Sequence, residues 1–264
     1  MQERHRDRAR YFRELAATCE QHFVPYFEQY LFCGSSRPAV LEIGCGDGGN
    51  LLPLARRGWE AVGVDISEAR IRDARAFFEA EGAEATFIAA DILTLDDFRS
   101  HFDLIICHDV IEHIADKRRF LSRIEYFMKP GGVLFMAFPA WQMPFGGHQQ
   151  ICHGRLLSRL PFYHLLPRGL YRRILEAGGE GRDCVDELLA IKSTRLTIER
   201  FERLTADSDL RIADRRLWLV NPHYQTKFGL RPRRLWPAMA GIPYVRNFFS
   251  TGCFYILTKN AVLT

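Results

Sequence analysis

The sequence predicts an α/β protein built on a mostly parallel sheet with helices on both faces. Three observations predict it. Short apolar runs alternate with stretches of helical spacing from residue 39 to 138, a glycine-rich loop follows the first run, and an aspartate closes each of the next two.

Taken in order, residues 2 to 32 place Tyr11, Phe12, Leu15, Ala16 and Cys19 at helical spacing, which predicts one or two amphipathic helices broken at Pro25. Residues 39 to 43, 61 to 64 and 85 to 89 are short apolar runs, each read as a buried strand. Between the second and third lies SEARIRDARAFFEA, where Ser67 caps a helix and Ile71, Ala74, Phe77 and Phe78 share one face. A fourth strand at 102 to 107 leads to a helix carrying Phe120, Leu121, Ile124, Phe127 and Met128, which KPGG at 129 to 132 ends. A fifth strand follows at 133 to 138. From 139 to about 196 the texture changes to aromatics, histidines and irregular helical patches, which predicts an inserted cap. Residues 197 to 204 resume as a helix, 217 to 220 and 253 to 257 read as strands six and seven, and 221 to 250 form a second insertion between them. The chain thus divides into an N-terminal helical segment, 1 to 38, and one domain, 39 to 264, with two insertions.

A length of 264 residues buries one substantial core, and 47% hydrophobic with 26% charged residues is ordinary for a globular enzyme. No apolar run approaches the roughly 20 residues of a spanning helix. MQERHRDRARYFREL lacks the pattern of a secretory signal, so a cytoplasmic location is expected. Cys19, Cys33, Cys45, Cys107, Cys152, Cys184 and Cys253 are scattered with no C-x-x-C pair, which argues for reduced thiols over a disulfide framework or a thiolate zinc site. A net charge of +4 does not by itself point to nucleic acid.

The first strand ends in VLEIGCGDGGN, residues 40 to 50, with Glu42 at the strand end and Gly44, Gly46 and Gly48 allowing backbone to approach a ligand. Gly44, Gly46 and Gly49 also fit the dinucleotide spacing, so the loop alone leaves the cofactor open. Asp65, in VGVDIS, stands where a carboxylate accepts ribose hydroxyls, which suits either cofactor. Asp91 and Ile92, in AADIL, offer an acceptor for an adenine amine and an apolar contact for its ring.

LEIGCGDG, GVDIS, AADIL, FDLIICHDVIEHI and KPGGVLFMAFP follow one another in order, and through them residues 40 to 138 resemble the class I S-adenosylmethionine (SAM)-dependent methyltransferases, in particular the group that includes ubiquinone-pathway O-methyltransferases. The resemblance implies a Rossmann-like fold with a seven-stranded sheet, SAM as cofactor and S-adenosylhomocysteine (SAH) as product. It implies that Glu42, Gly44 and Gly46 line the methionine end, Asp65 and the adjoining Ile66 hold the ribose side, Asp91 and Ile92 hold adenine, and His108 lies near the transfer centre. Cys45 belongs to the same cofactor loop and reads as a small filler.

Methyl transfer from a sulfonium is an in-line displacement that requires alignment, exclusion of water and, for a hydroxyl, removal of a proton. In HDVIEHI, His113 is the candidate general base or acceptor-orienting group, the alternative being a packing role beside the next helix. His148 is a further catalytic candidate. No metal is the leading expectation. A second reading takes Asp109, Glu112 and His113 as a D-x-x-E-H set completed by His148 or His153, similar to the E-x-x-E-H of ubiquinone-pathway and small-RNA 2′-O-methyltransferases but with the shorter aspartate first.

On the acceptor side, Trp141, Met143 and Phe145 are expected to wall a pocket, with His148, Gln149 and Gln150 as polar contacts and Gly146 and Gly147 as hinges. The second insertion holds Lys227, Arg231, Arg233, Arg234 and Arg246, no acidic residue, and interleaved aromatics. It suits a small-molecule acceptor that is phosphorylated or lipid-linked, or peripheral contact with a membrane, the alternative being a solvated basic face with inward aromatics. Nucleic acid is less supported. Two competing functions stay open: an NAD-dependent oxidoreductase, which leaves AADIL and HDVIEHI unexplained, and a non-catalytic SAM-binding scaffold.

Overall fold

In the computed structural model, residues 7–31 and 37–259 are described; Cys33 and the ends of the expected N-terminal segment lie outside them. One eight-stranded sheet organises the chain, in the order β3-β2-β1-β4-β5-β8-β6-β7. Its strands are β1 (Ala39–Ile43), β2 (Glu60–Asp65), β3 (Thr86–Ala89), β4 (Phe102–His108), β5 (Met128–Phe138), β6 (Leu210–Val220), β7 (Arg233–Arg234) and β8 (Gly252–Lys259). The first five pair in parallel, while β8 runs antiparallel between β5 and β6. The expected seven strands are all present. The eighth, β7, is a two-residue edge on β6 inside the second insertion, too short to leave an apolar pattern.

The chain leaves β1 for β2 on one side and reaches β4 on the other, so the sheet reverses between β1 and β4. In an open α/β sheet the carboxyl ends at such a reversal frame the ligand crevice. Every residue of β1 is buried, because α-helices cover both faces. Two apolar clusters fill those faces, one around Leu41, Ile105, Phe120 and Phe201, the other around Val40, Ile106, Phe78 and Phe23.

The helices follow the apolar spacing with one correction. Helix α1 (Arg8–Thr18) buries Phe12 and Leu15, but Pro25 does not break the run. A π-helical turn, Cys19–Phe23, carries the chain into α2 (Val24–Phe27), where Pro25 occupies the first turn. A proline there forfeits an amide that has no intrahelical partner anyway. Helix α3 (Leu52–Arg56) follows the glycine loop, α4 (Glu68–Ala80) is capped by Ser67 as its sequence predicts, and α5 (Lys117–Phe127) ends at the KPGG stretch.

Residues 139 to 196 contain no strand and fold mainly as α6 (Arg168–Ala177) and α7 (Arg182–Thr194), closing a small core of their own around Tyr163, Tyr171 and Leu188. Helix α8 (Ile198–Ala206) returns the chain to the sheet, capped by Thr197. The second insertion folds as α9 (His223–Phe228), β7, α10 (Pro237–Ala240) and α11 (Arg246–Phe249).

Candidate active site

Asp65 ends β2 with both carboxylate oxygens engaged: Gly46 N–H donates to Oδ2 at 2.9 Å and Ser67 N–H donates to Oδ1 at 2.8 Å. The loop after β1 and the start of α4 are thereby tied to one carboxylate at the sheet edge. The loop itself needs glycine for two different reasons. A side chain at Gly44 would strike Val110 Cγ2, so its bareness lets the β1 loop nest against the loop after β4. At Gly46, with φ +52°, the nearest atom is the flexible Arg70 guanidinium, so this is the position where backbone faces accessible space. Gly48 and Gly49 pack against Phe87 and against α1, which explains their size without any ligand.

Glu42 lies beneath this loop and is fully buried. Asn50 Nδ2 donates to its Oε1 at 2.7 Å, Oε2 has no hydrogen-bond partner, and burial pushes the carboxyl up to about 8. The thiol of Cys45 turns inward, since a side chain at Gly63 would meet its Sγ at 2.8 Å, and its amide donates to Val64 O at 3.1 Å. Asp47, also buried, is paired with Arg8 at 2.9 Å and approached by Arg70 at 3.8 Å, so α1 is clamped onto the loop. At the next strand end Asp91 is exposed, bonded to Leu93 N–H at 2.9 Å, while Ile92 is buried. Ile66, by contrast, stands 78% exposed.

The end of β4, the loop after it and the first insertion bring the candidate histidines together. His108 packs its ring against Phe23 and lies 3.7 Å from Asp109, whose φ of +56° places it in the left-handed region that aspartate tolerates better than most residues. Glu112, His113 and His148 converge, with ligand atoms within 4.8 Å of one another. The two imidazoles meet edge to face at 4.9 Å, and His148 Nε2 lies 3.9 Å from Glu112 Oε1. Neither Glu112 oxygen has a hydrogen-bond partner, and burial, helped by the charge of Asp109, raises this carboxyl well above the usual range. Burial lowers His113 and brings His148 down to about 4, so both rings are neutral at neutral pH.

Two of the suggested metal partners fall elsewhere: Asp109 lies outside the convergent group, and His153 sits beside Glu180 at 3.3 Å, in a separate cluster with Cys152 and Cys184. The expected pocket wall is also corrected. Trp141 and Met143 are buried within the protein, Trp141 packing on His164 and Lys192. Gln149 spends its amide on Leu160 O at 2.6 Å. Gly146 and Gly147 are close-packed positions rather than hinges, for a side chain would collide with Trp141 O at the first and with His164 at the second.

Two tyrosines escape a reading of the sequence. Tyr11 of α1 and Tyr224 of α9 both feel the charge of Asp109, and Tyr224 is pushed up to about 12, first by burial and then by that charge. Their elements are joined by Thr18, which bonds Thr226 at 2.9 Å and His223 at 3.2 Å. No local pattern signals a contact between segments so distant in the chain.

Residues 40–132 match the family model described as a methyltransferase domain. The chain is similar to the ubiquinone biosynthesis O-methyltransferase of Rhizobium rhizogenes, 36% identical over 107 residues, covering 39% of this chain and 43% of that protein. It is likewise similar to the enzyme of that name from a Chelativorans species, 37% identical over 98 residues, covering 37% of this chain and 39% of the other. The matches therefore span less than half the length of these curated relatives. Among solved structures, an S-adenosylmethionine-dependent methyltransferase from Clostridium acetobutylicum has a TM-score of 0.57 at 13% identity, covering 94% of this chain and 92% of that one. Geranyl diphosphate C-methyltransferase from Streptomyces coelicolor, solved with Mg2+, geranyl diphosphate and SAH, has a TM-score of 0.56 at 13% identity, covering 92% of this chain and 78% of that one. The ordered motifs, the sheet with its antiparallel β8 and these matches agree: residues 40–132 match a methyltransferase domain, and the chain has the fold of SAM-dependent methyltransferases.

Proposed function

We propose that this protein transfers a methyl group from SAM to an oxygen, less favourably a nitrogen, of a small or lipid- or phosphate-linked acceptor, releasing SAH. The observation that carries the proposal is the match of residues 40–132 to a methyltransferase domain, and the carboxylate of Asp65, fixed at the end of β2 by Gly46 and Ser67, would accept two ribose hydroxyls of the cofactor. Asp91 would accept the adenine amine and Ile66 with Ile92 would flank its ring. Gly46 would admit the methionine end close to backbone, with Arg70 moving aside and Glu42 shaping the loop from below.

In the transfer, the acceptor oxygen attacks the sulfonium methyl in line, the carbon–sulfur bond breaks with its electron pair going to sulfur, and the acceptor proton leaves to a base. His113 would be that base, with His148 orienting it edge to face. The lowered basicity of His113 and His148 keeps both in the form that accepts a proton at neutral pH.

A second reading is favoured by the bare carboxylate of Glu112. Glu112, His113 and His148 would suit a divalent cation: the carboxylate has two unpartnered oxygens and each imidazole is neutral. Bound there, such an ion would lower the pKa of an acceptor hydroxyl. Asp109 would then hold its position by charge alone.

Incubation with methyl-labelled SAM and extracts fractionated into aqueous and lipid phases tests the function. Label should enter one fraction and depend on His113, and chelation separates the two readings. Persistent absence of transfer by protein that binds SAM would favour the scaffold.

A further inference from the structure

We propose that the two insertions together form a docking face for an anionic lipid bilayer. Among the described residues, fifteen large apolar side chains stand exposed, and all but Ile66 and Leu219 lie within residues 139–196 or 221–250. Such concentration is not the scatter of single apolar residues that surfaces ordinarily carry. The most exposed in the second insertion are Trp236 at 77% and Tyr244 at 63%, with Phe248 and Phe249 also exposed in α11. The rings of Phe162 and Phe248, 6.3 Å apart, join one insertion to the other.

These tips are held, not loose. Tyr244 and Phe162 both adopt left-handed backbone, with φ of +63° and +64°, a conformation that aromatic residues avoid unless surrounding bonds impose it. For Tyr244 the imposing group is Glu199: buried, it accepts Tyr244 N–H at 2.8 Å, Arg246 Nε at 2.9 Å and Asn247 Nδ2 at 2.7 Å. For Phe162 it is Pro144 O, which accepts its amide at 2.8 Å. A buried polar clamp that presents an aromatic outward is unexpected for a residue with nothing to meet.

Charge selects the partner. Arg246 is spent inside the clamp, which corrects its assignment to the basic patch, but Arg231, Arg233 and Arg234 are exposed and no acidic residue lies in 221–250. A second copy would set like charges face to face. A bilayer with anionic headgroups accepts both features, guanidinium at the phosphates and aromatic or aliphatic tips at the acyl boundary. The same segment adjoins the N-terminal helix, since α9 packs on α1 through Thr18. That a lipid-linked acceptor is drawn from the bilayer rests on the methyl-transfer reading; the docking face does not.

Flotation of the whole protein with phosphatidylcholine vesicles, with and without a minor share of phosphatidylglycerol, tests it. Binding should require the anionic lipid, weaken at high salt, and fall about tenfold in Trp236→Ala/Phe248→Ala and in Arg231→Gln/Arg233→Gln, with SAM affinity unchanged. Absence of wild-type binding to anionic vesicles, or binding that both double variants retain, would overturn it. So would a wild-type dimer that the same substitutions dissociate. Vesicle binding needs no methyl acceptor, so its failure is distinct from failure of methyl transfer.

Discussion

The amide of Gly46 and the carboxylate of Asp65 meet at 2.9 Å across the tips of two adjacent parallel strands. One bond thus ties the glycine loop after β1 to the carboxylate that ends β2.

His113→Gln should lower turnover about a hundredfold while leaving SAM affinity intact, the range expected for loss of one general base. In the wild type, burial lowers the imidazole below its ordinary range, so the acidic limb of the pH–rate profile should have its midpoint below about 6.5. Turnover equal to wild type in the variant would assign His113 to packing.

Tyr224→Phe should raise the acceptor's KM several-fold with little change in SAM affinity. Its hydroxyl, pushed up to about 12 first by burial and then by the charge of Asp109, stays protonated at neutral pH and so keeps a proton to donate. Steady-state kinetics with each substrate varied in turn decide it. An effect confined to SAM would show that α9 serves the cofactor instead.

Asn247→Ala should destabilise the fold by about 2 to 3 kcal/mol, because it removes a donor to buried Glu199 and leaves Ile198 N–H without the side-chain oxygen that accepts it at 2.9 Å. Denaturant unfolding measures this. Far-ultraviolet circular dichroism should be unchanged.

Glu42→Gln should matter little in acid and stabilise in alkali. The folded carboxyl is raised to about 8, above its unfolded value, so its contribution is fully present below about 4.5 and is lost as pH rises through 8. The substituted amide keeps an oxygen for Asn50 and carries no charge to bury. Melting temperatures of the two proteins from acid to alkaline pH should converge at the low end and separate at the high end.

Much of this arrangement is legible in the chain itself. Strands β1, β2 and β4 announce themselves because burial on both faces makes each a short apolar run, and Ser67 and Thr197 mark their helices by capping. Asp65 is readable because its place at a strand end is a local matter. Pro25 misleads, since a π turn lets the helix run through it. Trp141, Gly146 and Gly147 mislead for a related reason: a loop rich in aromatics and glycine reads the same whether it lines an opening or packs tightly against His164. The grouping of Tyr11, Tyr224 and Asp109, and the clamp of Glu199 on Asn247, join distant segments and leave no periodic trace.

Calorimetric titration of SAH into the wild type and into Asp65→Ala bears most directly on the cofactor assignment, with NAD as the counter-ligand. The wild type should bind SAH and not NAD, and the variant should bind SAH more than about tenfold more weakly, as loss of a charged hydrogen-bond acceptor requires. Equal SAH affinity in the two proteins, or heat released by NAD alone, would contradict it.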